Sequence, residues 1–183
     1  MSKIVVGAAS MLVVALGVVY GVLYMGLIPV GADNRPGYLE RRFTHMATDA
    51  YVTRNAPKQE NPFPPTSANL LEGARRYEEH CALCHGGAAT RVSPLRYRFS
   101  PPAPQLVNRV PRDPDAHLWW ITKHGFRLTG MPAWDGLLSD DEIWKVVLFM
   151  KSSDKLPAEV EAAWRAAAAA PCLAENAGAR RVP

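Results

Sequence analysis

Hydrophobic and polar positions follow a different rule in each of four successive stretches. From Ile4 to Val30 no side chain is charged, a run of 27 residues. As a helix that run would be roughly 40 Å long, enough to cross a bilayer with some tilt. Tyr20 and Tyr24 lie toward its end, where an aromatic belt would sit at a membrane interface. A cleaved signal peptide is the competing reading, with Val30-Gly31-Ala32 as its small-residue site. The run exceeds the apolar region of a signal, so residues 1–32 are expected to form an uncleaved transmembrane anchor. Gly17 and Gly21 would let a second membrane helix approach closely, although glycines are common in such spans.

Residues 33–66 read as a connector. Leu39, Phe43, Met46 and Ala50 recur at helical spacing, which predicts an amphipathic helix from about Tyr38 to Arg54. Such a helix suits a membrane surface, the domain that follows, or a partner. Asn55 to Pro65 is polar and proline-rich, a semi-rigid spacer.

Helical periodicity returns in residues 67–156, the expected globular domain. Asn69 and Glu72 have capping-box spacing, so a helix should start at Asn69. Gly73, Tyr77 and Cys81 follow at intervals of four and share a face. Gly86-Gly87 should end that helix. Residues 88–112 are loop, with Ser100-Pro-Pro-Ala-Pro104 barred from regular helix. Asp113-Pro114 should open a second helix, and Lys123-His124-Gly125 should close it. Ser139-Asp-Asp-Glu142 is a full capping box. Behind it, Ile143, Val146, Val147 and Met150 form a stripe at i, i+3, i+4, i+7, the natural partner for the Gly73–Tyr77 face. In residues 157–183, Pro157 opens an alanine-rich helix to Ala170, with Val160, Ala163, Trp164 and Ala167 on one face. A poorly ordered tail is expected from Leu173. The fold class is all-α.

Composition changes this picture little. Of 183 residues, 48% are hydrophobic and 21% charged, an ordinary globular balance. The formal charge is +4, with no clustered Lys/Arg helix to argue for nucleic acid. Seven basic residues between Arg91 and Arg127 face only Asp113 and Asp115, an excess of five. They suit cofactor carboxylates, an acidic partner, or simply a solvated face.

The candidate chemistry lies in Cys81-Ala82-Leu83-Cys84-His85, a C-x-x-C-H motif that signals c-type haem attachment. Two thiols at this spacing add to the two vinyl groups of one porphyrin edge, and the next imidazole projects under the ring to bind iron. A redox dithiol would need a βαβ context, and a zinc site a second ligand pair. The third cysteine, Cys172, is distant and reads as an inert small residue. A distal ligand is expected at Met131, in Thr129-Gly-Met-Pro-Ala-Trp134, 46 residues beyond His85. Gly130 and Pro132 bracket it, and a soft thioether suits ferrous iron and raises the reduction potential. Met46 and Met150 read as hydrophobic filling. His45, His117 and His124 read as structural or exposed.

The helix with Gly73 and Tyr77, the Cys81–His85 motif, the proline-rich loop, the Met131 motif and the capped last helix together resemble class I cytochrome c over about residues 67–152. The resemblance implies an all-α fold around one haem c. Cys81 and Cys84 would form the thioethers, His85 would be the proximal ligand and Met131 the distal one. It also implies that Gly73 and Tyr77 cross the final helix near Val146 and Phe149. The implied function is single-electron transfer between respiratory proteins, with no catalysis of its own. Attachment of c-type haem outside the cytoplasm implies a periplasmic domain tied to a bacterial inner membrane. A subunit of a larger membrane complex is the preferred form, a tethered shuttle between a quinol-oxidising complex and a terminal oxidase the alternative. A haem sensor or catalyst with a displaceable methionine is the rival from another class.

Overall fold

The computed structural model describes residues 2–107 and 109–169. Cys172 and the tail from Leu173 lie outside them. The chain divides into two compact units, Met1–Asn34 and Arg35–Pro183. The described residues are all-helical, with no strand among them.

The first unit holds α1, Ser2–Tyr24, whose 23 residues are long and apolar enough to cross a membrane. None of them is buried. The apolar run continues to Val30, but the helix does not. Gly26 takes a positive φ of 64°, and Pro29 cannot extend a helix that would need its N–H.

In the second unit, α2 spans Tyr38–Asn55, α3 Ser67–His80, α4 Ala82–His85, α5 Asp115–His124, α6 Asp140–Ser152 and α7 Ala158–Ala169. The periodic stripe of α2 does not enter the core. Val52, on the opposite side, is its one buried residue, and Tyr51 meets Trp120 of α5 edge-on at 5.7 Å. Met46 is 50% exposed, so it is not the hydrophobic filling expected of it, whereas Met150 is buried.

The cap of the first globular helix lies three residues before the expected one. The hydroxyl of Thr66 accepts from the Asn69 N–H at 3.3 Å, and α3 begins at Ser67. Pro64 and Pro65 block helix just upstream, so Thr66 is the first residue able to cap. Glu72 is thereby freed, and it receives the Lys145 ammonium of α6 at 2.7 Å. The second helix shifts the other way. Pro114 is extended (ψ 146°) and flanks α5, which starts at Asp115 rather than at Pro114.

Leu70, Gly73, Ala74 and Tyr77 form the buried face of α3, and it packs on α6. A Cβ on Gly73 would meet the Lys145 carbonyl group and lie 3.1 Å from Phe149 Cβ, so glycine lets the two backbones approach. The Tyr77 and Phe149 rings sit 5.3 Å apart across this crossing. Nearly every side of α6 is buried, from Ile143 to Met150, as expected of a helix with neighbours all round. Each large side chain so buried contributes about 1.5–3 kcal/mol.

The start of α6 carries the capping box read from the sequence. Ser139 Oγ accepts from the Glu142 N–H at 3.3 Å, and the Glu142 carboxylate accepts from the Ser139 N–H at 2.9 Å. The Ser139 N–H foremost, then the Ser139 hydroxyl donating to the same carboxylate at 2.9 Å, hold the Glu142 carboxyl below its ordinary value of 4.5, and Arg76 of α3 adds to the effect. Because the folded pKa is depressed, the stabilisation is complete above about 4.5 and fades as the pH falls through the lowered value. Ser139→Ala is expected to cost about 1 kcal/mol. Denaturant melts at pH 7 and pH 3 check this: the difference between variant and parent should shrink at the lower pH.

Candidate haem site

The motif occupies the junction of α3 and α4. Cys81 caps α3 with its N–H on the Tyr77 carbonyl, and the next turn, α4, carries Cys84 and His85. Gly86 ends the turn at φ +80°, where an L side chain would be strained and would strike the Arg91 carbonyl. Buried Tyr77 fixes this end, its hydroxyl donating to the Gly86 carbonyl at 2.8 Å. Burial pushes the Tyr77 pKa up, so the hydroxyl stays protonated as a donor.

Cys81 and Cys84 are free thiols, both half-buried. Burial, and secondarily the neighbouring Cys84, pushes the Cys81 thiol up to about 12, and burial raises Cys84 as well. A redox dithiol needs a lowered pKa to supply its thiolate, so this pair is unsuited to that chemistry. Among the described residues, no group of three or more His, Cys, Asp and Glu side chains is placed to hold a metal ion, which leaves the zinc reading without ligands.

His85 is oriented by a residue that the sequence did not single out. Its Nδ1 lies 2.7 Å from the Pro104 carbonyl oxygen. A carbonyl can only accept, so Nδ1 carries the proton and Nε2 the free lone pair. Burial lowers the His85 pKa, which favours that neutral form. Gln105 secures the loop that brings Pro104 in. Its amide donates to the Cys84 carbonyl at 3.1 Å and accepts from the Ser93 N–H at 2.6 Å. The Leu106 N–H reaches the His85 carbonyl at 3.1 Å.

His85 and Cys84 open onto a cavity of about 600 Å³, which Met131 also lines. Its walls are largely apolar, from Phe99, Leu106, Leu118, Ile121, Phe126 and the Pro101–Pro104 run. Cys81 does not line it and packs against the core instead. Met131 sits on a loop pinned to the end of α5. Its N–H donates to Thr129 Oγ1 at 3.1 Å, and its carbonyl accepts from the Phe126 N–H at 3.2 Å. Gly125, at φ +61°, lets this loop close, since a Cβ there would lie 2.6 Å from the Met131 carbonyl oxygen.

The basic excess read from the sequence splits. Arg96, Arg109 and Arg112 line the cavity, and buried Arg96 Nε has no hydrogen-bond partner among the described residues. Lys123 is committed to Asp140 at 2.7 Å, and Arg91 to the Val107 carbonyl at 3.1 Å. Three of the histidines do not enter the site. His45 is exposed on α2, His124 is exposed and meets the Trp120 ring at a tilt, 4.7 Å away, and His117 lies half-buried on α5.

The donors present fit a haem. An imidazole with its outer nitrogen saturated and a thioether open onto one apolar cavity, and an orphaned guanidinium nitrogen awaits an anionic group such as a propionate. With helices crossing at Gly73 and Tyr77, this arrangement is that of a class I c-type cytochrome domain. Residues 68–150 match the family described as cytochrome c oxidase, cbb3-type, subunit III, which is a class I c-type cytochrome family. The match begins after α2 and ends before α7. No curated protein and no solved structure matches the chain. The match supports an electron-carrying haem protein, and the N-terminal helix fits a single-pass membrane segment.

Proposed function

We propose that the chain holds one haem c by thioethers to Cys81 and Cys84, with His85 and Met131 as its two axial ligands. The domain then carries single electrons at the outer face of a bacterial inner membrane, as a subunit of a larger respiratory complex. The observation that carries the reading is His85 held on the Pro104 carbonyl with Nε2 free, at a cavity that Met131 also lines.

When bound, the haem supplies a one-electron ferrous/ferric couple. The protein's residues do the rest. The Pro104 carbonyl fixes the imidazole plane and makes His85 a stronger donor. The Thr129 and Phe126 bonds hold the Met131 loop ready, so little rearrangement accompanies a change of charge. Phe99, Ile121 and Phe126 keep water out, and Arg96 meets negative charge at the cavity wall. With His85 and Met131 both holding the iron, no position would be left for substrate, and electron transfer would be the chemistry that remains. Leu83, inside the motif and 71% exposed, marks an apolar surface next to the thioether edge where electrons enter or leave.

Two features support a fixed subunit over a shuttle. The family description itself names an oxidase subunit. α2 presents Leu39, Phe43 and Met46 to the surface, where a companion chain could cover them. Purification of the tagged full chain from membranes in mild detergent tests this. Co-purification of other haem or copper proteins in fixed ratio is expected; recovery as a monomer with its haem spectrum intact would favour the tethered shuttle.

A further inference from the structure

We propose that α7, beyond the stretch that matches the family, is a latch that positions His85 through the loop from Gly86 to Val107. This rests on His85 being an axial ligand. Trp164 and Val160 of α7 are each only 1% exposed. Trp164 joins Tyr77, Val107 and Phe149 in the main core, and its ring meets Phe149 edge-on at 5.0 Å.

Trp164 holds the start of the loop. Its indole Nε1 donates to the Glu78 carboxylate at 2.7 Å, and the same carboxylate oxygen accepts from the Ala88 N–H at 3.1 Å. A Cβ on Gly87 would lie 2.6 Å from Glu78 Oε1, so glycine permits the backbone to pass this close. Arg91 holds the far end. Its guanidinium lies over the Trp164 ring at 5.5 Å and 3.5 Å from Glu161 of α7, and it donates to the Val107 carbonyl. Both ends of the loop are therefore tied to one indole. Between them lies Pro104, whose carbonyl sets the His85 ring. Trp164, Glu78 and Arg91 are positioning residues, acting on the imidazole through backbone alone.

Hydrogen exchange in the full-length holoprotein, followed by NMR in detergent, distinguishes a latch from mere stabilisation. Trp164→Phe keeps an aromatic ring and removes the indole N–H. Exchange at the Leu106 amide and the His85 ring N–H should accelerate about tenfold, equivalent to about 1.4 kcal/mol, while the Val146 and Phe149 amides of α6 change much less. Val160→Ala, which weakens α7 away from the Glu78 contact, should not produce that local pattern. Equal acceleration at all four sites, or none at Leu106 and His85, would overturn the latch. If instead the parent's His85 ring N–H shows no hyperfine shift in the ferric state, the ligand assignment fails, and the Leu106 amide still reports on the latch separately.

Discussion

Met131→Ala is expected to leave the haem attached and its sixth coordination position open. Cys81, Cys84 and His85 lie on the α3–α4 junction, on elements other than the 125–135 loop that carries Met131, so covalent attachment and the His85 bond should persist. What is lost is a soft ligand that favours ferrous iron. The midpoint potential should fall by on the order of 100 mV, a modest part of the ~0.8 V that axial ligation spans across haem proteins. The reduced variant should also bind carbon monoxide, which the parent should refuse. Redox titration and a difference spectrum measure both. Carbon monoxide binding by the native reduced parent would point instead to a sensor or catalyst.

The second large effect lies far from any ligand. Gly73→Ala should destabilise the domain by about 2 kcal/mol, and two opposed effects set that figure. Alanine improves helix propensity by about 1 kcal/mol over glycine. Its Cβ, however, would press on the Lys145 carbonyl, whose carbon lies 2.6 Å away, and on Phe149 Cβ. Those are backbone and core atoms that cannot swing aside, and overpacking of this kind costs about 1–3 kcal/mol or more before the loss of neighbouring contacts. The clash wins. Tyr77 and Cys81 follow on the same helix, so separation of α3 from α6 should also loosen the motif. Denaturant unfolding of the holoprotein measures the loss, and an unchanged midpoint would show that the helices do not cross at Gly73.

What the chain reveals before folding depends on how local each signal is. The Ser139–Glu142 box and the Ile143–Met150 stripe are local, and α6 matches them closely. The Gly73–Tyr77 face was legible because both residues repeat at helical spacing, and its partner followed from the one other strong stripe. Caps were legible only where one candidate stood alone. At α3 the capping-box spacing pointed to Asn69, whereas Thr66, directly after two prolines, is the cap. The stripe on α2 was readable, but not that its opposite side would hold the one buried residue.

The supports of the site were not legible, for a physical reason. Pro104 acts through its carbonyl, which every residue possesses, so nothing in the sequence distinguishes it as the His85 acceptor. Glu78 and Trp164 lie 86 residues apart, and neither belongs to a motif. Arg91 looked like one of seven interchangeable cations; only folding separates it, committed to α7, from Arg96, which lines the cavity.

Axial ligation by Met131 is the claim on which the electron-carrier account turns, and proton NMR of the reduced full-length protein tests it most directly. A methionine bound to ferrous haem holds its methyl group in the porphyrin ring current. One three-proton resonance should therefore lie far upfield, vanish in Met131→Ala and survive in Met46→Leu. Absence of that resonance in the parent, or its persistence in Met131→Ala, would contradict the account.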